Sequence, residues 1–153
     1  MLALIDEAVA WMVARGQTEQ WGSTPWSERP AASRRVHEMA GRDLWVALDG
    51  DRVIGAVVLG DRPAHVAPVP AREAYVELVV TSRAHSGEGL GAALLDVARA
   101  HAAEHGAELL RVDCWAGAPP LVRWYERQGF QRTETFDVDG WVGQVFEQPL
   151  EAR

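Results

Sequence analysis

Residues 74 to 115 constrain the fold more than any other part of the chain. Ala74 to Val80 (AYVELVV) is rich in β-branched residues and nearly all apolar, the pattern of a central strand covered on both faces. A polar, glycine-rich loop follows and runs into a helical stretch with an expected apolar face of Leu90, Leu94, Val97 and Ala98, ended by Gly106. Glu108 to Trp115 (ELLRVDCW) reads as the next strand. A strand-helix-strand unit of this kind makes its two strands parallel with a right-handed crossover. The chain must therefore build an α/β sheet with helices on its faces.

The flanks extend that frame. Leu2, Ile5, Val9, Met12 and Val13 recur near helical spacing before Gly16, so the chain opens on a helix. Residues 17 to 30 (QTEQWGSTPWSERP) form a loop with two large aromatics, and a short helix is expected from about Ala31 to Ala40. Residues 44 to 61 are two β-rich runs around Asp49-Gly50-Asp51, a hairpin signal. Residues 62 to 72 carry three prolines and read as a loop. Pro119-Pro120 opens a helix through Leu121, Trp124 and Tyr125, stopped by Gly129. Two last strands are expected, from about Gln131 to Phe136 and from Trp141 to Pro149.

A chain of 153 residues with 48% apolar and 24% charged residues fits one domain spanning 1–153 with a real core. Its net charge of -7 argues against nucleic acid as a partner and favours a cationic over an anionic substrate. Cys114 is the only cysteine, so an intramolecular disulfide and a cysteine zinc site are excluded, and the cytoplasm is the expected compartment. No apolar run is long enough for a membrane helix. His101-Ala102-Ala103-Glu104-His105 spells a metalloprotease string, but it falls in the last turn of a helix, and no metal site is expected.

The chemistry concentrates at Gly87-Glu88-Gly89-Leu90-Gly91-Ala92, between a strand and a helix. Free backbone N–H groups at a helix N-terminus hold anions, and glycine both permits the required turn and lets a phosphate approach. The string also satisfies a dinucleotide pattern, with Asp113 after the next strand. Against that, six polar residues from Thr81 to Ser86 separate strand and glycine, where a dinucleotide fold turns at once.

With Ser86-Gly87-Glu88-Gly89-Leu90-Gly91, and with Trp124-Tyr125-Glu126-Arg127-Gln128-Gly129-Phe130 further on, the chain resembles the GNAT superfamily of acetyl-CoA-dependent N-acetyltransferases. The resemblance covers about residues 44 to 149. It implies a mixed, mostly antiparallel sheet with a central parallel strand pair and helices on both faces, the family's first strand being either absent here or upstream of residue 1. It also implies acetyl-CoA as co-substrate, a primary amine of a small molecule or peptide as acceptor, and a homodimer. Three departures stand out. Ser86 replaces the usual arginine or glutamine, Ala118 replaces an asparagine, and the chain starts on the helix.

Under this resemblance, acetyl-CoA is held by Val79, Val80 and Thr81 of the strand and by Ser86, Gly87, Glu88, Gly89, Leu90, Gly91 and Ala92 of the loop. Val79 N–H is the candidate oxyanion donor. Tyr125 is the candidate acid for the leaving thiolate. Glu77, a carboxylate inside an apolar strand, is the candidate base, with an ion-paired structural carboxylate as the rival reading; Glu73 and Asp113 stand behind it. Trp21 and Trp26 lie in the loop that frames the acceptor and would bind a cationic amine over their faces, unless they simply pack that loop down. Two other functions compete: a non-catalytic acyl-CoA-binding or regulatory domain, and a nicotinamide-dependent oxidoreductase.

Overall fold

A computed structural model describes residues 1–151. The helices are α1 (Leu2–Ala14), α2 (Pro30–Met39), α3 (Leu90–Glu104) and α4 (Pro119–Arg127). The strands are β1 (Asp43–Asp49), β2 (Arg52–Gly60), β3 (Glu73–Thr81), β4 (Leu109–Trp115), β5 (Gln131–Val138) and β6 (Trp141–Pro149). They form one six-stranded sheet in the order β1-β2-β3-β4-β6-β5. β3 and β4 are parallel, from Glu73↔Leu109 to Tyr75↔Arg111. The β1–β2, β4–β6 and β5–β6 pairs are antiparallel. This is the mixed sheet with a central parallel pair, and α1 is its first element.

The chain divides into two compact units, Met1–Gly60 with Leu78–Ala98, and Asp61–Glu77 with the chain from Arg99 onward. In the first, Leu4, Ile5 and Val9 of α1 and Val36 and Met39 of α2 pack on Ala56 and Val58 of β2 and Leu78 and Val80 of β3. Alternate residues of a strand face opposite ways, so Gly55 points to the other face of β2. There Leu90 and Leu94 of α3 approach so closely that a Cβ on Gly55 would lie 3.0 Å from Leu94 Cδ1 and 3.3 Å from Leu90 Cδ2. Helices thus cover both faces of this part of the sheet.

α3 is rotated slightly from the sequence expectation. Leu94, Leu95, Ala98 and Ala102 are buried, while Val97 is 41% exposed. Alanines 98 and 102 continue the stripe at i+4 spacing, so bulk alone was a poor guide to the buried face. β5 runs to Val138 rather than ending near Phe136. Val138 pairs with Trp141 across Asp139 (φ 52°) and Gly140 (φ 86°), and positive φ at both positions is the signature of a tight type I′ hairpin turn.

The second unit has Val66, Tyr75 and Val145 as a small core with Phe136 against it, and a buried arginine beside them. Arg111 is fully buried, donating to Ala67 O at 3.0 Å and to Glu73 Oε2 at 2.8 Å and pairing with Glu134 at 3.0 Å and Glu147 at 3.1 Å. Such a cation is tolerable only because carboxylates surround it. Through Ala67 and Glu73 it also fastens the proline-rich loop over the sheet.

Candidate active site

The glycine loop has the conformation its sequence requires. Gly87 (φ 81°) and Gly89 (φ 75°) both lie in the left-handed region, and nothing stands within 4 Å of where a Cβ would be on either. The loop is exposed from Ser86 to Gly89, and α3 begins at Leu90. Ala93 N–H donates to Gly89 O at 3.0 Å, so the N–H groups of Leu90, Gly91 and Ala92 precede the helical ladder. An open turn in front of a 15-residue helix is a place where backbone N–H groups can hold a phosphate. Leu90, by contrast, turns its side chain onto Gly55, so its part in that loop is backbone.

α1 holds the turn just before this loop. Glu7 Oε1 accepts from Arg83 N at 2.6 Å and from Ser82 Oγ at 3.4 Å. The Arg83 guanidinium lies 3.8 Å over the Trp11 ring, and its Nη2 donates to Ser86 Oγ at 3.3 Å. Nothing in the sequence marks Glu7 or Trp11 as partners of this turn. A contact spanning 76 residues leaves no spacing signal.

Trp21 and Trp26 are half-buried and pack against the α1–α2 core. Their rings are 5.5 Å apart, Trp26 Nε1 donates to Trp21 O at 3.0 Å, and Ser27 N donates to Asp6 Oδ1 at 3.2 Å. Both rings therefore shape their own loop. Val79 and Thr81 are half-buried and Val80 is buried, and these, with the loop and the tryptophans, belong to the first unit.

Glu77 and Tyr125 belong to the second unit. Glu77 is half-buried on β3. Tyr125 is buried, edge-on to Phe130 with ring centroids 5.9 Å apart and 5.2 Å from Phe146. Gly129 (φ 95°) ends α4 and turns the chain so that Phe130 N donates back to Tyr125 O at 3.2 Å. The Gly-Phe pair is thus the local device that buries the tyrosine. Burial first, then the neighbouring Cys114 and Asp113, push the Tyr125 phenol above its ordinary range, so it stays protonated at neutral pH. Among the described residues its hydroxyl has no hydrogen-bond partner.

Two weaker sequence candidates are engaged elsewhere. Glu73 is an ion-pair partner of Arg111 and of Arg62, the latter at 3.2 Å. Asp113 accepts from the Tyr75 hydroxyl. Cys114 is buried, and burial followed by the Asp113 charge pushes its thiol up to about 12, an unreactive state. His101 and His105 stack with ring centroids 4.0 Å apart at the end of α3, and His105 Nδ1 meets His101 O at 2.8 Å. Among the described residues no three His, Cys, Asp or Glu gather to hold a metal, and no helix is long and apolar enough to cross a membrane.

A model of the acetyltransferase (GNAT) family matches residues 10–130. The chain belongs to that family. No curated protein matches it, but solved structures do. The ribosomal-protein-alanine N-acetyltransferase from Brucella melitensis superposes with TM-score 0.68 at 20% identity, covering 97% of this chain and 91% of that one. An N-acetyltransferase from Staphylococcus aureus gives TM-score 0.67 at 18% identity, covering 98% and 90%. A GNAT family acetyltransferase from Elizabethkingia anophelis, with acetyl-CoA bound, gives 0.61 at 14%, covering 79% and 85%. At these identities the likeness is one of fold. The mixed sheet also removes the nicotinamide reading, which needs a doubly wound parallel sheet.

Proposed function

We propose that this chain is an acetyl-CoA-dependent N-acetyltransferase acting on a primary amine, with a cationic small molecule or peptide as acceptor, in the cytoplasm. The observation that carries the reading is the open glycine turn at Gly87 and Gly89 in front of α3, in a chain of the GNAT family. Backbone N–H groups from Gly87 to Ala92 bind the pyrophosphate. Val79, Val80 and Thr81 hold the pantetheine and thioester through backbone groups, Val79 N–H accommodating the charge that develops on the carbonyl oxygen. Glu77 takes one proton from the acceptor's ammonium group and so frees the nitrogen lone pair for attack. The neutral amine nitrogen bonds to the acetyl carbon, the carbon–sulfur bond breaks, the thiolate receives the Tyr125 proton, and the second proton that the nitrogen sheds on becoming an amide restores the phenol. Trp21 and Trp26 present ring faces to the cationic acceptor.

Tyr125 suits the acid role because its proton is retained at neutral pH and not committed to another protein group. Ser86 and Ala118, in place of the family's residues, favour the second reading, a domain that binds acyl-CoA without turning it over. Calorimetric titration with acetyl-CoA, with NADH as control, tests the binding step, and saturable binding of acetyl-CoA alone is expected. Tyr125→Phe then separates the two readings. Turnover on an amine panel should drop by roughly 10²-fold or more with acetyl-CoA affinity retained. An unchanged rate removes Tyr125 as the acid, and binding without turnover of any amine favours the non-catalytic domain.

A further inference from the structure

We propose that Arg83 supplies the side-chain contact to the acetyl-CoA pyrophosphate that Ser86 cannot make, and that Trp11 and Glu7 of α1 are its positioning residues. The inference rests on the reading of the glycine loop as the acetyl-CoA site. The residue opening that loop is a serine, exposed and uncharged. Arg83 reaches this same position from three residues back, its Nη2 3.3 Å from Ser86 Oγ. The cation is thereby carried to the mouth of the glycine turn by a different residue.

The surroundings of Arg83 are those of a cation kept for an anionic ligand. Glu7, the adjacent carboxylate, spends its Oε1 on the Arg83 main-chain N–H at 2.6 Å and on Ser82 Oγ at 3.4 Å. Among the described residues the guanidinium forms no ion pair, its one hydrogen bond is to Ser86 Oγ, and its Nε is buried with no partner. A guanidinium has five donors in a planar fork matched to phosphate oxygens. Trp11 holds it by its face, at 3.8 Å, which restricts rotation without neutralising charge. Arg15, 4.0 Å from the same ring, adds a second positive charge to the patch. In a chain of net charge -7, such a patch beside the α3 N-terminus is where a multiply charged anion can settle.

The test uses the full chain, with acetyl-CoA titrated by calorimetry and inorganic pyrophosphate as a competing ligand. Arg83→Gln should weaken both acetyl-CoA and pyrophosphate by about tenfold, the loss of one charge-assisted hydrogen bond. Adding Ser86→Arg to that variant should restore most of both. Trp11→Phe, a conservative change that thins the stack, should weaken both severalfold. Arg83→Gln binding acetyl-CoA as the wild-type protein does overturns the inference and leaves the acetyltransferase reading standing. So does weakened acetyl-CoA binding with unchanged pyrophosphate competition, which marks a structural role. Should Arg83→Gln fail to fold, equal affinities in Trp11→Phe and wild type overturn the positioning role and the inference with it. If the wild-type protein binds no acetyl-CoA, the acetyltransferase reading itself falls, and the inference with it.

Discussion

Cys114 illustrates how far a single residue is decided by its surroundings. It lies near the end of β4, buried beside Asp113. Its thiol ionises only near about 12 in the fold, against roughly 8.5 in an unfolded chain. The folded state therefore holds the proton more tightly, and the resulting stability is complete below the unfolded pKa and lost as pH rises toward the folded one. Melting temperature should fall as pH is raised from about 9 toward 11. Cys114→Val should flatten the part of that fall that begins at the thiol's unfolded pKa. Tyr125 and Tyr75, both raised chiefly by burial, add losses in the same direction at higher pH. At pH 8 the thiol should resist aromatic disulfide reagents until denaturant is added, and fast reaction in the native protein would contradict the burial.

Elements carry the next level of the argument, and Gly55 is its clearest case. In the sequence it is one glycine in an apolar strand, and nothing about it signals a helix overhead. In the fold it is the point where α3 lies on β2, with Leu94 and Leu90 at 3.0 and 3.3 Å from the missing Cβ. Gly55→Val would have to push α3 away from the sheet, at a cost of about 1–3 kcal/mol. Because α3 begins at the glycine loop, the variant should also raise KM for acetyl-CoA. Denaturant unfolding and steady-state kinetics on the same preparation check both, and a variant as stable as the parent would show that the contact is slack. The hairpin between β5 and β6 teaches the converse. Asp139-Gly140 is a plain turn signal, and β5 runs on to Val138 to meet it.

At the scale of the whole molecule, charge is the property most easily tested. A chain at -7 attracts a cationic acceptor over distances comparable with the Debye length, which shrinks from about 30 Å at 0.01 M salt to about 8 Å at 0.15 M. With acetyl-CoA saturating, kcat/KM for an acceptor with two or more positive charges should fall severalfold over that salt range, while a singly charged amine changes less. Equal salt dependence for both would remove net charge as a factor in acceptor choice.

Much of this molecule was legible before any coordinates. Strand and helix order, the glycine turn and the tyrosine before Gly-Phe all follow from local rules, since periodicity, positive φ and helix termination depend on residues within a few positions of one another. The contacts that complete the picture are not local. Arg111 in its ring of carboxylates, Gly55 beneath α3, and Glu7 and Trp11 holding Arg83 across 76 residues or fewer of chain arise only when the sheet and its helices pack. Each joins residues of ordinary type at unremarkable spacing. Burial and charge pairing across the tertiary structure, absent from any short window of sequence, turned these side chains into a core cation, a packing seam and a held guanidinium.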